Sequence, residues 1–194
     1  MTPGPKKNKM VLRLLKDKIM GSTSPSKEGN NVYILILEDD PDQLEMLTNF
    51  ALAELQYIVD DENVSPMIEE KITHIRIISV SNIDGLTKVS EKYAPVLLAL
   101  LDGNTPDAKG GRPHDQFVKK NHVITGKHRA IEIVKNTLPN TPITMISTLD
   151  RFKKIVFKYY NTEHELNINF INKNDKEMIG KNIAYYLRQH LKEG

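Results

Sequence analysis

A chain of 194 residues, 39% apolar and 27% charged, has room for one globular domain with a substantial core plus some extra polypeptide, and too little for a second domain of ordinary size. The absence of cysteine excludes a disulfide framework and any thiolate metal centre. No apolar run is long enough to span a bilayer and the amino terminus lacks the apolar core of a secretory signal, so the chain reads as soluble and cytoplasmic.

The net charge of +2 conceals a basic leading segment. In residues 1–30, Lys6, Lys7, Lys9, Arg13, Lys16, Lys18 and Lys27 stand against only Asp17 and Glu28, which leaves the remainder acidic. Pro3, Pro5, Gly21, Pro25 and Gly29 mark flexible chain at both ends of this segment, while Met10, Val11, Leu14, Leu15, Ile19 and Met20 fall near helical spacing. Residues 1–30 therefore read as a basic flexible extension with a short amphipathic helix. Resting on its own domain is the preferred reading, and contact with nucleic acid or a membrane is the lesser one, because such segments are nonspecific signals.

From Asn31 onward strand and helix alternate. Val32–Leu37 is a continuous apolar run of the kind buried on both faces of a parallel sheet. Asp40-Pro41 supplies an N-cap and a first-turn proline, and Leu44, Leu47, Phe50, Ala51 and Leu55 follow at helical spacing. Residues 57–73 lengthen the first crossover, with a short helix expected over 67–72. The second unit is Ile75–Val80 followed by Leu86, Val89 and Tyr93, ended by Pro95. The third strand is Val96–Leu101, and its helix comes late, after Gly126, through Ile131, Val134 and Leu138.

The connection between them, residues 105–125, is expected as a long loop that carries specificity or acts as a lid. The fourth strand is Ile143–Ile146, with Phe152, Ile155, Val156 and Tyr159 on its helix. The fifth is Ile168–Ile171, and Asn174-x-x-Glu177 reads as a capping box opening a last helix through Ile179, Ile183, Tyr186, Leu187 and Leu191. Five β/α units with right-handed crossovers give an α/β fold with a doubly wound, five-stranded parallel sheet.

In such a sheet, residues just beyond the carboxyl ends of the strands converge on one site. Here those residues are Glu38-Asp39-Asp40, Asp102, Ser147 and Lys173. Asp39, Asp40 and Asp102 would crowd three carboxylates together, which repel unless a cation lies among them; an incomplete shell of hard oxygen ligands suits Mg²⁺. Asp102 is then the natural nucleophile toward phosphorus, Ser147 can donate one hydrogen bond to a phosphoryl oxygen, and Lys173 brings a compact positive charge. Asp40 before Pro41 also has the simpler reading of an N-cap alone. His114, Asp115, His122 and His128 match no metal-ligand spacing and read as solvated loop residues.

Leu35-Ile36-Leu37-Glu38-Asp39-Asp40, Leu101-Asp102-Gly103-Asn104-Thr105-Pro106, Ile146-Ser147 and Phe170-Ile171-Asn172-Lys173 together resemble, in order, the four signature segments of response-regulator receiver domains. The resemblance spans about residues 31–192 and implies a flavodoxin-like (βα)5 receiver domain, with residues 31–194 as the domain and 105–125 as an insertion. It implies a two-component module that accepts phosphate on Asp102 from a histidine kinase or histidine phosphotransfer protein. It also implies Mg²⁺ at Asp39, Asp40, Asp102 and the backbone carbonyl of Asn104, with Ser147 as the switch hydroxyl, Phe170 as the switch aromatic and Lys173 as the family's lysine. The module would act as a phosphoacceptor rather than as an enzyme, through a downstream protein target or a homodimer. Departures are Asn174 in place of the family's usual proline, Thr148 in place of a small residue, and the 105–125 insertion.

No effector domain is expected in the chain, so output is expected by protein contact with nucleic acid a minor prospect. Phe157, Tyr159, Tyr160, Tyr185 and Tyr186 lie on the last two helices, where part would pack and the exposed part would mark an interface. Two other readings stand beside this one. A phosphate-independent interaction module with the same fold would keep the surface without the chemistry. A haloacid-dehalogenase-like phosphatase also uses a strand-end aspartate, but its acidic pair does not precede the nucleophile and a second aspartate stands where Asn104 does.

Overall fold

In the computed structural model the described residues are 31–60, 66–110, 114–120, 123–149, 153–154, 156–163 and 166–192. The basic extension, Phe152 and Ile155 lie outside them. In chain order the elements are β1 (Val32–Leu37), α1 (Pro41–Val59), α2 (Pro66–Thr73), β2 (Ile75–Val80), α3 (Ile83–Lys92) and β3 (Val96–Asp102). They continue with β4 (His114–Lys120), β5 (Val123–His128), α4 (Arg129–Thr137), β6 (Ile143–Ser147), a π-helical segment (Val156–Glu163), β7 (Asn169–Asn172) and α5 (Lys176–Lys192).

The five long-range strands form one parallel sheet in the order β2-β1-β3-β6-β7, as the doubly wound reading requires. Strand alternation divides the core between its faces. Ile34, Ile36, Leu98, Leu100, Ile146 and Ile171 pack with residues of α1, α2 and α5. Leu35, Leu37, Ala99, Leu101, Ile143 and Met145 pack on the other side with residues of α3, α4 and the π-helical segment. Both faces are covered, which is why β1 and β3 read as unbroken apolar runs instead of alternating ones. Leu100 is fully buried in the middle strand, within the core cluster on the α1/α5 side. Leu100→Ala is expected to cost about 3 kcal/mol, read as a lower urea midpoint at unchanged slope.

Helix starts are local chemistry. The Asp40 carboxylate accepts from the backbone N–H groups of Asp42 and Gln43 at 2.9 and 3.2 Å, and Asn82 accepts from Gly85 N at 2.8 Å. At α5 the cap falls one residue later than the expected capping box: Asp175, not Asn174, accepts from Met178 N at 3.1 Å. Asn174 N instead donates to its near neighbour Asn172 Oδ1 at 2.9 Å, in a turn leaving β7.

Two expectations are corrected. The 105–125 connection is not structureless: β4 and β5 form a separate antiparallel hairpin whose base pairs His114 with His128. Its runs are short and interrupted by lysines, so no single one reached the apolar density that marks the central strands. The helix after Ser147 is π-helical over Val156–Glu163, and that winding shifts which positions face inward. Tyr160, outside the expected Phe152/Ile155/Val156/Tyr159 stripe, is fully buried beside Val156.

Candidate functional site

Pairing of β1, β3, β6 and β7 brings their carboxyl ends to one edge. Glu38 N still donates to Val80 O at 3.0 Å, so the residue after β1 keeps the strand's course and its side chain turns inward. Asp102 closes β3 opposite Ile146. Ser147 closes β6, opposite Asn172. Lys173 follows β7, its N–H donating to Ser147 O at 3.2 Å.

Four charges meet there. The Lys173 ammonium lies 2.7 Å from Glu38 Oε2 and 3.1 Å from Asp102 Oδ1, with the Glu38 side chain fully buried and Asp102 nearly so. The other Glu38 oxygen, Oε1, accepts from Asp40 N at 3.1 Å. Asp102 Oδ2 accepts from Asn104 N at 2.7 Å and lies 3.2 Å from the buried Thr105 hydroxyl, which is also 3.3 Å from Asp39 Oδ1.

Burial raises the Glu38 carboxyl above its usual value, with the charge of Asp102 adding to the effect and Lys173 opposing it. For Lys173 burial acts to lower the ammonium, but the Glu38 hydrogen bond and the Asp102 charge outweigh it and hold the pKa above its usual value. The lysine is held in its charged form, and the three carboxyl groups of Glu38, Asp39 and Asp102 stand against that one ammonium.

That imbalance is what a divalent cation relieves. Glu38, Asp39 and Asp102 each place a carboxylate oxygen within 4.8 Å of the others, and Asp39 is on the exposed side. Three hard oxygens with one open flank fit Mg²⁺, which retains water and accepts phosphate oxygens. The expected trio of Asp39, Asp40 and Asp102 differs by one residue: Asp40 does not join the cluster, because its carboxylate is committed to the first turn of α1, and Glu38 takes its place. Asn104 lies beside Asp102, its backbone N–H engaged and its side chain exposed.

Ser147 is buried, its Oγ accepting from Leu149 N at 3.2 Å, and Phe170 is half-buried against the core on the α3/α4 side of the sheet. Thr148 is exposed. Sequence reasoning placed Glu38 at the strand edge without giving it a ligand role, and gave no site role to Thr105 or His128. An acid directly after an apolar run was a usable signal for Glu38; nothing local marks the other two. His128, read as a solvated histidine, is fully buried, with Nε2 3.1 Å from Gly103 O and its backbone N–H donating to Tyr160 Oη at 2.6 Å. The base of the hairpin is thereby fastened to the loop after Asp102. The side chains of His114 and Asp115, and all of His122, lie outside what is described.

No family model and no curated protein matches the chain. Among solved structures, the signal receiver domain of an HD domain-containing protein from Pseudomonas fluorescens Pf-5 superposes with a TM-score of 0.50 at 10% identity, covering 89% of this chain and 96% of that one. The fold is that of a response-regulator receiver domain. The non-phosphorylated receiver domain of RcsB from Escherichia coli (TM-score 0.49, 13% identity, covering 83% of this chain and 95% of that one) is also similar. So is the receiver domain of NtrX from Brucella abortus (TM-score 0.47, 17% identity, 83% and 99%). Within the receiver fold of this chain, the hairpin β4/β5 is placed between β3 and α4, so it rises from the same edge as the charged cluster. Among the described residues no helix is long and apolar enough to cross a membrane.

Proposed function

We propose that this chain is a two-component phosphoacceptor: Asp102 takes a phosphoryl group from a phosphohistidine of a histidine kinase or histidine phosphotransfer protein, with Mg²⁺ bound. The observation that carries the reading is the convergence of Glu38, Asp39, Asp102 and Lys173 from three separate strand ends on one partly open site. Glu38, Asp39 and Asp102, with the Asn104 carbonyl, would hold the metal, which supplies neutralising charge to the transferring group. An Asp102 carboxylate oxygen attacks phosphorus, the P–N bond to the histidine breaks, and its electron pair leaves with the imidazole nitrogen, which is then protonated. Lys173 is held where it can follow negative charge from the carboxylate to the phosphoryl oxygens.

Phosphorylation adds charge and acceptor oxygens at Asp102. Ser147 then gives up its contact with Leu149 N in favour of the phosphoryl group, Phe170 follows inward, and the surface of β7, α5 and the π-helical segment shifts its population toward a partner-binding state. Exposed Tyr185, stacked edge-on against half-buried Tyr186 at 5.1 Å, lies on that surface, which would receive a protein target or a second copy. The chain works in the cytoplasm as a signalling protein whose only chemistry is its own phosphorylation and dephosphorylation.

Intact mass after incubation with acetyl phosphate, with and without Mg²⁺, tests this. One Mg²⁺-dependent phosphoryl adduct is expected, on the peptide holding Asp102. A folded protein that takes up phosphate from neither acetyl phosphate nor a phosphohistidine donor would leave a phosphate-independent interaction module instead.

A further inference from the structure

We propose that Thr105 is a positioning residue that holds Asp39 and Asp102 in the geometry a divalent cation requires. The inference rests on the phosphoacceptor reading and adds to it a residue that touches both carboxylates. Lys173 is shared between Glu38 and Asp102 and does not reach Asp39. Among the described residues, the Thr105 hydroxyl is the one hydrogen-bond donor to the Asp39 carboxylate, at 3.3 Å, and it lies 3.2 Å from Asp102 Oδ2 as well.

A hydroxyl carries a single proton, and at these two nearly equal distances it is shared between the two carboxylates in a three-centre bond that holds both near it. Asp39 is exposed and would otherwise turn into water, away from the like charge of Asp102. Thr105 is fully buried, so its own position is fixed by packing and by the loop around it. That loop is pinned on three sides. Gly103 N donates to Ile146 O at 2.9 Å, Ile83 N donates to Pro106 O at 3.0 Å, and Ala108 N donates to Asp84 Oδ2 at 3.0 Å. The hydroxyl thus acts as a fixed point that orders an exposed ligand before the cation arrives, which lowers the cost of binding.

The test is Mg²⁺ titration by calorimetry, together with the rate of labelling by acetyl phosphate across a Mg²⁺ series, for wild type, Thr105→Val and Thr105→Ser. Valine keeps the volume and removes the donor; serine keeps the donor. Thr105→Val is expected to bind Mg²⁺ about five- to tenfold more weakly, the size of one lost hydrogen bond of ordinary strength, as suits the exposed Asp39. Its labelling rate should return to that of wild type at saturating Mg²⁺, and its melting temperature without Mg²⁺ should be no lower. Thr105→Ser should bind as wild type does, which a packing role would not predict. Thr105→Val binding Mg²⁺ as tightly as wild type, or Thr105→Ser failing alongside it, would overturn the assignment while leaving the phosphoacceptor reading in place. A wild-type protein that takes up neither Mg²⁺ nor phosphate would overturn both.

Discussion

Asp102→Asn is expected to stay folded and to lose phosphoryl uptake completely. The amide has the size and shape of the carboxylate, and its oxygen can still accept from Asn104 N and the Thr105 hydroxyl. It has no anionic oxygen to attack phosphorus, and it removes one of the three carboxylates that would hold Mg²⁺. Stability should move the other way. Asp102 adds to the burden on buried Glu38, so neutralising it relieves like-charge repulsion at the cost of one of the two partners of Lys173. Without Mg²⁺ the variant should melt no lower than wild type, and the stabilisation that wild type gains from Mg²⁺ should shrink, since a ligand stabilises only in proportion to its affinity for the native state. Mass spectrometry and melting with and without Mg²⁺ check both halves. Persistence of the adduct in the variant would remove Asp102 as the acceptor.

Lys173→Met is expected to be the most destabilising change at the site. Methionine keeps much of the apolar stem but leaves Glu38 and Asp102 facing each other with no cation between them. Removing one partner of a buried pair costs about 3–5 kcal/mol; with the ammonium itself partly exposed, the lower end, about 3 kcal/mol, is expected.

The pH dependence follows from both shifts. Lys173 is raised above its usual value of 10.5, so its contribution is fully present below that value and is lost as pH rises through the raised one. Glu38 is also raised, above 4.5, so the native state holds this proton more tightly than the unfolded chain does, and stability falls as pH rises from 4.5 through the raised value. In Lys173→Met the alkaline loss disappears. The loss associated with Glu38 extends to higher pH, because the lysine that opposed its rise is gone. Urea unfolding at a series of pH values between the acid and alkaline limits reads both changes. A variant as stable as wild type at neutral pH would show that the pair contributes nothing net. A second consequence is functional: a phosphorylated variant should lack the population shift, because no ammonium remains to draw the phosphoryl group toward β7.

Much of the fold was legible because the signals were dense and local. Val32–Leu37 and Ile75–Val80 are strands with the expected bounds, and the others differ by about one residue at their ends. Burial on both faces keeps β1 and β3 almost wholly apolar up to their carboxyl ends, so each stood out as an apolar run between turns. The hairpin did not, since its runs are short and interrupted by lysines and polar residues. The π-helical winding was not legible either. Hydrophobic spacing alone does not distinguish one extra residue per turn from a shifted stripe, and it did not single out Tyr160 from the neighbouring aromatics as the fully buried one.

For the site, the sequence by itself determined which residue types arrive at the carboxyl edge: the acids after β1, Asp102, Ser147 and Lys173 are fixed by where apolar runs end. Only the tertiary structure decided which of the acids face one another. Glu38 and Asp40 are two residues apart and chemically alike. One continues the strand and is drawn to Lys173, 135 positions away in the chain. The other starts a helix whose unsatisfied N–H groups take its carboxylate. Thr105 and His128 gained their roles in the same way, from contacts with Asp39 and Gly103 that β-strand pairing brings close. A side chain's partner across the sheet is set by register and packing, and those depend on the whole chain.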